Sequence, residues 1–152
     1  MMIVTFCGHA QFQGSEECEQ KILNILEETV GEQRADMYLG GYGGFDRFAY
    51  TCCKKYQERH PKISLVFITP YLTVAYQKNH LCFQEQRYDM ILYPEIEDKP
   101  KRYAICYRNQ YMVEKADCVV AYVTHHRGGA YATYRYAKRK GKKILNLANF
   151  EE

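Results

Sequence analysis

The 152-residue sequence predicts an α/β domain of Rossmann-like type, with a mainly parallel sheet in three layers. Three observations predict it. Short apolar runs rich in β-branched residues alternate with helical stretches of about 10 to 15 residues, the pattern of βαβ crossovers. The notable glycine groups, at Gly8, at 40–44 and at Gly128-Gly129, each follow a predicted strand. The length and a hydrophobic fraction of 47% are those of one folded domain with its own core, spanning 1–152.

The first strand is the apolar run 2–7, stopped by Gly8-His9. Ser15 then precedes Glu16 and Glu17, an N-cap followed by first-turn acids, and Ile22, Leu23, Ile25, Leu26 and Val30 recur at helical spacing up to Gly31. A second strand, 36–39, is closed by the run Gly40-Gly41-Tyr42-Gly43-Gly44, and Phe45, Phe48, Ala49, Cys52 and Tyr56 continue as a helix that His60-Pro61 breaks. The run 63–68 has the continuous apolarity of a strand covered on both faces. The polar segment 71–88 reads as a loop with a short helix, before a fourth strand at 89–93. A helix over 101–116, a strand over 117–123, a helix over 130–140 and a strand over 143–147 complete the alternation.

In open parallel sheets ligands bind outside the carboxyl ends of the strands, where the strand order reverses. Gly41, Gly43 and Gly44 precede a helix and suit a phosphate cradle, since missing side chains let backbone N–H groups approach an anion at a helix N-terminus. The stretch nearly meets the dinucleotide fingerprint G-x-G-x-x-G, but Asp46 stands where the third glycine belongs and the loop follows the second strand. A standard NAD site is thereby disfavoured, and the sequence has no Walker motif. Asp46 either stabilises the helix dipole or accepts hydrogen bonds from a ribose or base. Arg127, Gly128, Gly129 and Ala130 form a second cradle with a charged partner, and Thr133 in the following turn is either a ligand hydroxyl or a capping one. His9 directly follows the first strand and either reaches the same pocket or is a turn histidine.

His125-His126 reads as a loop pair, because neighbouring side chains at a strand end diverge and no acid lies at a ligand spacing. No metal and no cofactor is expected. The seven cysteines contain no C-x-x-C pair and read as reduced thiols, which places the protein in the cytoplasm. No stretch is apolar enough to span a membrane and no leader is apparent. Of the 15 tyrosines, some suit base stacking and more suit core and subunit interfaces, hence an expected homo-oligomer. The net charge of +3 is weak, and the basic run Lys138, Arg139, Lys140, Lys142, Lys143 reads as a solvated helix end. Nucleic acid is therefore not expected as a partner.

The stretches 40–46, Arg108-Asn109-Gln110-Tyr111-Met112-Val113, Ala116-Asp117 and Gly128-Gly129-Ala130 with Ala137-Lys138 resemble the SLOG superfamily (SMF/DprA and LOG), most closely its YpsA-like branch. That resemblance covers nearly the whole chain. It implies a Rossmannoid fold binding nucleotides or nucleotide-derived molecules, with 43–46 and 128–130 lining the pocket and Arg108 and Asn109 approaching it. The LOG branch cleaves nucleoside monophosphates through PGG-x-GT-x-x-E, but here Arg127 replaces the proline and no glutamate follows within 130–140. The leading expectation is thus binding or sensing of a nucleotide-related small molecule. An N-glycosidic hydrolase or transferase using Asp46, Glu95 or Asp117 is the alternative, with the catalytic residues unknown, because such chemistry needs a converging acid pair. Single-stranded DNA binding ranks last on charge.

Overall fold

The computed structural model describes residues 1–151. Six strands form one sheet: β1 (Met2–Gly8), β2 (Ala35–Leu39), β3 (Ile63–Ile68), β4 (Met90–Leu92), β5 (Cys118–Tyr122) and β6 (Lys143–Asn146). Their order is β4-β3-β2-β1-β5-β6, and every neighbouring pair is parallel. From β1 the chain builds outward to β4 on one side, then returns to place β5 against the other edge of β1. That reversal puts a topological switch point between β1 and β5.

The two faces are read directly from strand alternation. Val4 and Phe6 of β1, Met37 and Leu39 of β2, Leu65 and Phe67 of β3, and Cys118 and Val120 of β5 pack against α1 (Glu16–Thr29) and α2 (Gly44–Arg59). Cys7, Val119, Ala121 and Val123 point the other way, against α5 (Ala104–Lys115) and α6 (Gly128–Arg139). Both faces of the central strands are covered, which is why those strands read as unbroken apolar runs. The Rossmann-like fold predicted from the sequence is the fold observed.

Ser15 caps α1 as expected, its hydroxyl accepting from the Cys18 amide at 3.1 Å. Three boundaries differ. The helix expected from 130 begins at Gly128, so both glycines lie in its first turn. The fourth strand shrinks to three residues at the sheet edge, because the Asp89 carboxylate turns inward to accept from the Leu65 amide and from Gln57, each at 2.8 Å. The segment expected as a loop with a short helix is helical over 74–84, where α3 (Val74–Tyr76), a π-helical turn (Gln77–Leu81) and α4 (Cys82–Gln84) run on without a break. Only Leu81 in that stretch is buried, which explains its weak periodicity. No helix is long and apolar enough to cross a membrane among the described residues.

Candidate functional site

A cavity of about 690 Å³ opens at the carboxyl ends of β1 and β5, the switch point of the sheet. Gly8, His9, Asp46, Arg108, Asn109, Arg127, Gly128, Gly129, Ala130 and Thr133 all line it. Gly41, Gly43 and Gly44 do not.

The glycine run at the start of α2 is a packing seam. The Gly44 amide donates to the Ala10 carbonyl at 2.8 Å and the Phe45 amide to that of His9 at 3.3 Å, so these two N–H groups at the start of α2 are already used. A Cβ on Gly44 would sit 2.7 Å from the Ala10 oxygen, and one on Gly43, whose φ is 90°, 2.8 Å from the Ala10 Cα. Gly8 completes the seam, since a Cβ there would lie 2.3 Å from the buried ring of Phe45. The glycines let two loops touch, and a tight backbone seam has the same composition as an anion cradle.

Behind that seam the cavity floor holds a carboxylate and a guanidinium. Arg108, buried on α5, donates from one guanidinium nitrogen to the carbonyls of Ile68 at 2.7 Å and Gly40 at 3.2 Å, and from Nε to the Asn109 side chain at 2.9 Å. It thereby ties the ends of β2 and β3 to the cavity. Asp46 lies in the first turn of α2 and accepts from the Tyr42 amide at 3.2 Å. Burial pushes its carboxyl up to about 6, a rise that the nearby Arg108 charge and the Tyr42 amide restrain. Burial in turn lowers the Arg108 pKa, with the Asp46 charge opposing it.

His9 closes the rim between the two central strands. Its Nε2 accepts from the Thr124 amide at 2.8 Å, and its ring stacks on His125 with centroids 3.9 Å apart. Burial and the neighbouring His125 lower its pKa, so the ring is held neutral, as its acceptor role requires. Phe12 and Tyr122 add an aromatic wall, their rings 4.7 Å apart, and exposed Tyr42 stands at the mouth. Tyr42 and Tyr122 are among the tyrosines that the sequence places near the loops as candidates for base stacking, whereas Phe12 was missed. The signal available for Phe12 was its closeness in the chain to the strand end at Gly8.

The second cradle is open. Arg127 is the N-cap of α6, with no side-chain cap hydrogen bond, and a Cβ on Gly128 or Gly129 would meet nothing within 4 Å. Gly128 has φ 87°, a conformation that favours glycine. Thr133 is buried and donates to the Gly129 carbonyl at 2.9 Å, so its hydroxyl braces the first turn of α6.

The acids considered for glycosyl chemistry do not converge. Asp46 is the only carboxylate lining the cavity among the described residues. Asp117 sits at the amino end of the sheet, accepting from the Ile3 amide at 2.8 Å, and Glu95 lies in the loop after β4, away from the cavity. One group that could hold a metal ion, Glu27, Glu32 and His60, lies by the amino ends of β2 and β3, at the end of the sheet opposite the cavity.

No protein-family model and no curated protein matches the sequence. In three dimensions the chain is similar to DNA processing protein A from Helicobacter pylori, with a TM-score of 0.65 at 19% identity. It is likewise similar to DNA processing protein A (DprA) from Streptococcus pneumoniae, with a TM-score of 0.67 at 14% identity. Each match covers 97% of this chain, which spans 66% of the first protein and 50% of the second. The fold is thus of the DprA kind, in line with the SLOG resemblance. One expectation is corrected: the H. pylori protein is described for a single-stranded DNA binding mode, so nucleic acid cannot be set aside as a partner of this fold. Net charge was the wrong quantity, because +3 averages over the whole surface, whereas the segment 127–143 carries seven cations and no acid.

Proposed function

We propose that the cleft at the β1–β5 switch point binds single-stranded DNA, seating a backbone phosphate on the N-terminus of α6. The open start of that helix is the observation that supports this reading best. Its first amides have no side-chain cap, two glycines leave the approach clear, and Arg127 adds a full positive charge at the entrance. Phe12, Tyr122 and Tyr42 offer ring surfaces for the attached base. Asp46, set back on α2 beside Arg108, serves the sugar or base side, away from the phosphate. The likeness to the DprA structures supports the same reading.

Fluorescence anisotropy with a labelled oligothymidylate tests it. Binding is expected at low salt and should weaken steeply as salt rises, since each phosphate contact releases counterions. Gly129→Val, which fills the open approach, should weaken binding about tenfold or more while the melting temperature holds. No binding at low salt, or indifference to Gly129→Val, would refute the proposal.

A second reading is a free nucleotide or nucleotide-derived ligand in the same cleft, as in the YpsA-like SLOG resemblance. The cavity of about 690 Å³ supports it, falling within the roughly 300–1,000 Å³ of small-molecule sites. Thermal shifts with nucleoside monophosphates, NAD and ADP-ribose, in the absence of any response to oligonucleotide, would favour this reading over the first.

A further inference from the structure

The helix that opens at the cleft bears cations along its exposed side. α6 reads Gly-Gly-Ala-Tyr-Ala-Thr-Tyr-Arg-Tyr-Ala-Lys-Arg and contains no acidic residue, and Lys140, Lys142 and Lys143 extend it. Arg127, Arg135, Lys138, Arg139, Lys140 and Lys143 are exposed. Tyr131, Arg135 and Lys138 succeed one another at spacings of four and three, one line along the helix surface. From Gly128 to Lys138 that line runs about 15 Å.

Rings interleave the charges. Arg135 lies 5.9 Å from the Tyr131 ring centroid, Lys138 5.6 Å from Tyr134, and Arg139 and Lys140 5.6 and 5.5 Å from Tyr136. At the cleft end, Tyr131 meets His126 and Phe150 edge-on, centroids 5.2 and 6.0 Å away, in an aromatic cluster at the start of the helix. The carboxylate of Glu114 on α5 accepts from the Tyr136 hydroxyl, so this acid lies against α6 on the Tyr136 side, away from the line of Tyr131, Arg135 and Lys138.

We infer that a single-stranded nucleic acid leaving the cleft follows α6, with phosphates on Arg135 and Lys138 and a base stacked on Tyr131. This rests on the proposed function, because it extends the strand whose first phosphate sits at Gly128-Gly129. A cationic line backed by stacking rings is what tracks a strand without reading its sequence. It is also a surface that a free mononucleotide has no use for.

The test compares a thymidine dinucleotide, which fills the cleft alone, with an oligothymidylate of about 12 nucleotides, long enough to run along α6. For the unmodified protein the longer strand should bind about tenfold or more tightly. In Arg135→Glu/Lys138→Glu that advantage should vanish. The slope of log affinity on log salt should flatten by about 1.4, at about 0.7 for each phosphate that the variant no longer neutralises. Tyr131→Ala should weaken the long strand at every salt concentration with the slope unchanged. Both sets of positions are solvent-facing or half-buried, and a thermal melt confirms folding of each variant. Equal binding of the two lengths, or an unaltered slope in the double variant, overturns the α6 track and leaves the cleft reading standing. Failure of the unmodified protein to bind either length overturns both.

Discussion

At the residue scale the glycines divide into two kinds that one letter conceals. Gly8 has no room for a side chain, with Phe45 fully buried against it, whereas Gly129 faces open space. Gly8→Ala should therefore destabilise the fold by about 1–3 kcal/mol through overpacking, measured as a fall in the urea midpoint at constant m-value. Gly129→Ala should leave stability unchanged or raise it by up to about 1 kcal/mol, since alanine suits a helix better. Asp46 sets a pH dependence. Because burial raises its carboxyl from 3.8 to about 6, the folded chain holds that proton more tightly than the unfolded one. Its contribution to stability is greatest below about pH 4 and declines as pH climbs through about 6. Asp46→Asn removes that decline, so urea titrations on either side of that window, at about pH 3.5 and about pH 7.5, should show the variant gaining on the unmodified protein as pH rises. Arg108→Met takes away the charge that restrains the rise and strands the Gly40 and Ile68 carbonyls. It should cost about 3 kcal/mol and move the Asp46 titration, followed by NMR, further upward.

At the element scale, what could be read from the sequence was whatever depends on one segment. All six strands and the four long helices follow from apolar runs and periodicity, and Ser15 announced the start of α1. Ser15→Ala should accordingly lower stability by about 1 kcal/mol in chemical denaturation. What depends on two segments meeting was not legible. The strand order, and hence the switch point, is a tertiary fact, and so is the use of Gly44 and Phe45 amides by Ala10 and His9. Of the site residues, those after β1 and β5 line the cavity because position at a strand end is itself the signal. Gly41, Gly43 and Gly44 fell outside it because composition does not reveal where amides point. The stretch 74–84 shows the opposite limit, a helix with too few buried side chains to leave a pattern. Having only Leu81 in the core, its amides should exchange with deuterium faster than those of α2, which buries Phe45, Ala49, Cys52, Cys53 and Tyr56.

At the scale of the whole molecule, the distribution of charge decides more than its sum. Some surface cations face carboxylates, as Lys55 faces Glu19 at 2.6 Å and Lys21 faces Glu17 at 3.7 Å, and such pairs cancel at a distance. α6 has no acids of its own, so its field persists beside a cleft whose helix start has the same sign. A strand that bridges cleft and helix binds the folded protein and not the unfolded chain, and so must raise the melting temperature by mass action. At a free oligonucleotide concentration of about 100 times Kd the stabilisation is about 2.7 kcal/mol, which for a domain of this size corresponds to roughly 5–10 °C. Because the attraction is between phosphates and cations, raising the salt at fixed oligonucleotide should erase the shift, whereas the melting temperature of the unliganded protein should change far less, its core being apolar. A shift that survives high salt would mean that the ligand is held by burial and directed hydrogen bonds in the cavity, as a small nucleotide would be.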